Sequence, residues 1–250
     1  MHVLAVVCML SAVMLADAMH DYKFKEKVTV YVNKVGPYSS PSETYHYYTL
    51  PVCRPEKIVH RSLSLGEVLS GDRMAVSMFD IDFQEKKEKT PLCPARVVTG
   101  DELARLKEAL EEQWYFEFMI DDLFIRDYIG TIEQQGVFPH EHAFFLYTHY
   151  HFVIEYNGGN IISARVDLSK HKPTKIGHDD ESVTLRWSYS VEWIMTRVAP
   201  ENRGKVSTAG TKFGPQQVDI QWLSVLNSCL LTLMLVGFVA LILQKNTDRN

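Results

Sequence analysis

The feature that most constrains this chain is an uncharged apolar run near its C-terminus. From Trp222 to Leu243, 17 of 22 residues are apolar and none carries a charge. As a helix the run is about 33 Å long, against a bilayer hydrocarbon core of about 30 Å. Asp219 precedes it, and Lys245 and Arg249 follow it. A transmembrane helix over residues 218–244 is predicted, its cationic end in the cytosol. Ser224, Ser228 and Thr232 recur every four residues with Asn227 beside them, which puts all four on one helix face. In lipid, small hydroxylated residues on one face mark packing against another helix. A hydroxyl can also bond back to its own helix, but an unpaired amide such as Asn227 is costly in hydrocarbon. The expected partners are the lipid bilayer and other transmembrane helices.

A second apolar run, Met1 to Ala16, is apolar at 14 of 16 positions. It is too short to span comfortably, and Ala16-Asp17-Ala18 is the small-x-small pattern of a signal-peptidase site. Residues 1–18 are therefore expected to be a cleaved signal peptide. Setting both runs aside brings the 46% hydrophobic content of 250 residues down to about 40%, an ordinary soluble composition. A net charge of -5 leaves no concentrated basic face, so no nucleic-acid partner is expected. The apolar and aromatic content rules out a disordered chain.

Of the 4 cysteines, Cys8 falls in the leader and Cys229 in the span. Cys53 and Cys93 remain, and an oxidising lumen makes a disulfide the simplest arrangement, two buried thiols being the alternative. No Asn-x-Ser/Thr sequon is present.

Between the two runs the chain reads mainly as strands. Val28, Val30 and Val32 alternate, as do Phe79, Ile81 and Phe83, then Phe116, Phe118 and Ile120. Leu146–Tyr156 and Ile161–Leu168 are joined by Asn157-Gly158-Gly159-Asn160, a strong hairpin signal. Leu185, Trp187, Tyr189, Val191 and Trp193 suggest one long strand. Thr99 is placed to cap a helix from Gly100 to Trp114, with Glu102 completing a capping box and Leu103, Leu106 and Leu110 facing inward. The fold class expected is mainly β: an antiparallel, sandwich-like lumenal domain over residues 19–200 with one packed helix. A juxtamembrane tether (201–217), the span and a short cytosolic tail (245–250) follow.

Chemistry-bearing motifs are few. His140, His142, His149 and His151 fall within twelve residues and are weak candidates for a metal site, since no accompanying carboxylate pattern fixes a geometry. Asp121-Asp122 is best read as a turn rather than a catalytic pair. No phosphate loop, nucleophile elbow or triad pattern is visible, so neither an enzyme nor a cofactor is expected.

Several blocks resemble the transmembrane 9 superfamily, the nonaspanins. They are Tyr31-Val-Asn-Lys-Val-Gly-Pro37, Glu43-Thr-Tyr-His-Tyr-Tyr48 with Leu50-Pro-Val-Cys53, and Ser62-Leu-Ser-Leu-Gly-Glu-Val-Leu69 with Gly71-Asp-Arg-Met74. Leu92-Cys93, Tyr115-Phe-Glu-Phe118 with Asp121-Asp122 and Ile125-Arg126, and Thr148-His149 follow. Trp222-Leu-Ser224 and Val236-Gly-Phe-Val-Ala240 complete the set. The resemblance implies a lumenal β-rich domain followed by nine spans, resident in Golgi and endosome membranes, and a role in sorting transmembrane cargo without a catalytic reaction. The chain departs from the family pattern at Phe124 and Asp127, where a proline and a glycine are expected. It also carries one span where nine are expected, which reads as a fragment, a truncated gene model or a short isoform. The alternatives are a stand-alone type I single-span receptor or cargo adaptor, and a metal-binding lumenal enzyme using the four histidines.

Overall fold

Apolar residues recurring with period two dictate most of the architecture, because a strand so patterned has one face to bury. The computed structural model describes residues 20–40, 43–135, 141–203 and 216–247. The expected signal peptide and most of the expected tether lie outside those residues. Strands β1 (Lys27–Val28), β2 (Val30–Pro37) and β3 (Tyr45–His46) precede helix α1 (Leu65–Leu69). Strands β4 (Ala75–Val76), β5 (Ile81–Asp82), β6 (Lys87–Pro91) and β7 (Arg96–Thr99) lead into α2 (Gly100–Glu111). Next come β8 (Trp114–Ile120), β9 (Leu123–Tyr128), β10 (Gly130–Gln135), β11 (Glu141–Leu146), β12 (His149–Asn157) and β13 (Asn160–Asp167). Strands β14 (Thr174–Ile176), β15 (Ser182–Leu185) and β16 (Ser188–Met195) follow, and then α3 (Gln216–Thr247).

Two larger sheets carry the core. One has the order β3-β2-β8-β9 with β4 added to β2, and the other β13-β12-β16-β6. A three-stranded sheet, β10-β11-β14, and the pairs β1–β5 and β7–β15 flank them. Val30, Val32 and Val35 of β2, Phe116 and Phe118 of β8, Tyr150 and Phe152 of β12, and Val191 of β16 meet in one buried cluster. Phe79 stands edge-on to Tyr150, Phe152 and Tyr189, with ring centroids 5.7, 4.9 and 5.5 Å away, a geometry that adds to area burial. This is the mainly antiparallel β fold that the alternation implies. One pair departs from it. Strands β12 and β16 run parallel, because the chain passes through β13, β14 and β15 before returning beside β12.

Helix α2 buries Leu103, Leu106 and Leu110 as expected, but both of its ends differ from expectation. The Thr99 side chain makes no capping bond. Glu102 is drawn instead to Arg96, whose Nη2 donates to both carboxylate oxygens at 2.6 and 2.9 Å. The helix stops at Glu111 rather than Trp114, because Gln113 adopts φ 53° and Trp114 opens β8. A full capping box forms elsewhere, between Ser64 and Glu67 of α1. The run from Leu146 divides at Tyr147-Thr148, where the Tyr147 N–H donates to Ile129 and the Thr148 carbonyl accepts from Ser188. The run from Leu185 divides likewise, the Trp187 carbonyl accepting from Leu92.

Cys53 and Cys93 form a disulfide with Cα atoms 5.8 Å apart. It joins the segment after β3 to the segment after β6, and Cys53 is buried in the core cluster. In α3 the stretch Leu226–Lys245 has a mean hydropathy of 2.4 and none of it is buried. Its 20 residues rise about 30 Å, so it is long and apolar enough to cross a membrane.

Candidate functional site

Polar side chains gather at several places among the described residues, and three of these hold the candidates. The first is the outer face of β12. Tyr150, Phe152 and Ile154 point into the core, so His149 and His151 point the other way. The parallel register sets His149 opposite Ser188 and His151 opposite Ser190. His149 Nδ1 and Nε2 lie 2.9 Å from the Ser188 and Ser190 hydroxyls, and His151 Nδ1 lies 2.7 Å from Ser190 Oγ. His151 Nε2 faces Glu192 Oε2 at 3.2 Å and Lys170 Nζ at 2.9 Å. The His171 ring stacks on His149 at 3.8 Å, nearly parallel. Burial, then the neighbouring His171 and Lys89, push His149 down to about 4. Burial and Lys170 lower His151 as well, against Glu192.

Ser190, His151 and Glu192 invite comparison with a hydrolytic triad, and the electrostatics argue against one. Ser190 shares its hydroxyl between two rings, and Lys170 opposes the imidazolium that a general base must become. Among the described residues no group of three or more His, Cys, Asp or Glu is placed to bind a metal. His149 and His151 are occupied by serines, the side chain of His142 is not described, and His140 lies outside the described residues. The serines were missed in the sequence, although Ser188-x-Ser190 has the same two-residue period as His149-x-His151.

The second place is the turn between β8 and β9. Asp121 and Asp122 have φ 44° and 65°, so the pair is the expected turn, in the backbone region that Asp tolerates better than most residues. Asp121 does more than turn the chain. Arg203 Nη2 donates to its Oδ2 at 2.8 Å and also to its carbonyl, and the Tyr22 hydroxyl donates to Oδ1 at 3.3 Å. Burial raises the Asp121 carboxyl despite Arg203.

The third is an open cleft of about 780 Å³ between β9 and the start of β10 on one side and β13 on the other. One wall is anchored from within. Arg126 of β9 pairs with Glu117, which is fully buried and also accepts from Asn33 Nδ2 at 2.6 Å. Asn33 and Lys34 both donate to Asp72, at 2.9 and 2.8 Å, so no charge in this network is left uncompensated. On α3, Asn227, Ser228 and Thr232 are exposed, and the Thr232 hydroxyl donates to the Ser228 carbonyl at 2.9 Å. The Asn227 amide meets no partner among the described residues. The side chain of Ser224 is not described.

A disulfide-closed β domain is followed by a helix long and apolar enough to cross a membrane, the pattern of a membrane protein. Residues 44–250 match the family of endomembrane protein 70. The chain belongs to that family, as a membrane protein of the transmembrane 9 superfamily that the sequence blocks resemble. It is 47% identical over 231 residues to transmembrane 9 superfamily member 1 of Bos taurus, covering 92% of this chain and 38% of that protein. It is 46% identical to member 1 of Mus musculus, with the same coverage. Member 3 of Arabidopsis thaliana is 34% identical over 227 residues, covering 90% of this chain and 38% of that protein. The chain thus spans under two-fifths of the length of these curated relatives.

Proposed function

We propose that the chain is a non-enzymatic component of Golgi and endosome membranes that assists the sorting and transport of transmembrane cargo. Its β domain is lumenal, and α3 crosses the bilayer with Lys245 at the cytosolic end. The observation that carries this reading is Asn227. An exposed amide on a mainly apolar helix is costly in hydrocarbon until another helix satisfies it. Ser228 and Thr232 extend the same face, so the helix offers polar and small contacts to neighbouring spans, whether the protein's own or those of cargo. The histidine row supports a role without catalysis, since both rings are engaged by serines.

The test uses the full chain in cells, wild type against a triple variant Asn227→Leu, Ser228→Ala and Thr232→Ala. The wild type is expected to overlap Golgi and endosome markers and to co-purify single-span cargo. The variant is expected to insert normally and lose about threefold of that co-purification, matching about 0.6 kcal/mol for one interhelical hydrogen bond. Co-purification unchanged in the variant, or wild type confined to other membranes, contradicts the proposal.

A further inference from the structure

We propose that the cleft between β9, β10 and β13 binds an oligosaccharide chain. The proposal goes beyond the trafficking reading and stands without it, since it concerns only what the cleft walls can hold.

The cleft volume of about 780 Å³ lies in the range of small-molecule sites, about 300–1,000 Å³. Its lining mixes aliphatic side chains (Ile125, Ile132, Val166 and Leu168) with polar ones. Tyr128 and Tyr147 stand in its wall beside Asp127, both half-buried, and burial first, with the Asp127 carboxylate adding to it, raises both phenols. Tyrosine rings flanking a carboxylate suit a sugar, whose C–H face packs on an aromatic ring while its hydroxyls donate to the acid.

The opposite wall is the cleft side of β13. Ser163, Arg165 and Asp167 follow one another at alternate positions, and Glu155 of β12 pairs with Arg165 at 3.3 Å. These side chains offer donors and acceptors in fixed planes, the kind that recognise vicinal hydroxyls. Several polar groups in the lining are also unspent. The Thr131, Ser163 and Tyr147 hydroxyls and the Gln113 side-chain amide make no hydrogen bond among the described residues. Gln113 is set beside the cleft by a left-handed backbone (φ 53°), a strained conformation for a side-chain-bearing residue and one that tends to collect at functional sites.

An extended peptide is the competing occupant, because β9 and β13 are both sheet edges. The row of Ser163, Arg165 and Asp167 argues against it. Charged side chains along an edge are the usual device that keeps another strand from adding.

The test is saturation-transfer NMR on the full chain in lipid nanodiscs. The probes are chitotriose, a trimannosyl-chitobiose core glycan, and an extended polyserine peptide of similar length. Saturation transfer to at least one of the two glycans and not to the peptide is expected. Binding should weaken about tenfold in Tyr147→Ala and measurably in Gln113→Ala, while both variants unfold at the wild-type temperature. Because Gln113 is exposed, its variant keeps the test decisive if Tyr147→Ala fails to fold. Absence of transfer to both glycans, binding unchanged by Gln113→Ala, or transfer to the peptide alone overturns the proposal.

Discussion

Arg203 reaches back across 82 residues to Asp121, its guanidinium 2.8 Å from the carboxylate, and so ties the end of the β domain to the β8–β9 turn. Both side chains are largely withdrawn from water, at 15% and 9% exposure. Tyr22, stacked on Phe83 at 5.4 Å, brings the start of the described chain to the same carboxylate. One acidic residue thus gathers both ends of the domain at the point where the chain leaves toward α3.

Removing this pair should loosen the domain. Arg203→Ala is expected to lower unfolding free energy by about 2 kcal/mol, since it leaves a half-buried carboxylate without its cation. Asp121→Asn keeps a residue that tolerates the turn's φ of 44°, so it isolates the loss of charge. A double-mutant cycle in denaturant should return a coupling of at least about 1 kcal/mol, and additive effects would show that the pair is idle.

Acid should destabilise the fold through His149. Its value of about 4 lies below the unfolded value, so the unfolded chain takes up a proton first as pH falls. Stability is therefore full above about pH 6.5 and is lost as pH drops from there toward 4. Between pH 7 and pH 5 the loss from this one ring is about 2 kcal/mol. His149→Gln should flatten the stability curve across that window. A slope as steep as wild type would mean that His149 is not the source.

The disulfide closes a separation of 40 residues. On the chain-entropy account, Cys53→Ala should cost about 4 kcal/mol. The freed Cys93 should then react with iodoacetamide, which the non-reduced wild type resists at both positions. Equal labelling of wild type before and after reduction would contradict the bond.

The turn offers a finer test. Asp122 has φ 65°, where glycine is relaxed and a β-branched residue is not. Asp122→Gly should leave stability within about 0.5 kcal/mol of wild type, while Asp122→Val should lower it by about 1–2 kcal/mol. Similar melting of the two variants would remove the turn from the account.

Much of this architecture is legible locally. The valines of β2 and the phenylalanines of β8 declare their inward face by alternation, and Asn157-Gly-Gly-Asn160 and Asp121-Asp122 declare their turns by tolerating positive φ. Features decided by competition between partners are not legible. Glu102 looks like a capping residue until Arg96 stands beside it. His149 looks like a metal ligand until the parallel return of β16 delivers Ser188 and Ser190. The four-residue recurrence of Ser224, Ser228 and Thr232 in α3 could be read from the sequence. The cleft could not, because its walls come from β9, β10 and β13, whose residues are unremarkable in each segment alone.

The most direct measurement is protease protection of sealed vesicles from cells expressing the full chain with an epitope after Asn250. With a lumenal β domain and a spanning α3, protease should remove the epitope and leave the β domain intact, its Cys53–Cys93 bond unreduced, until detergent opens the vesicles. Digestion of the β domain in sealed vesicles with the epitope spared would contradict the account.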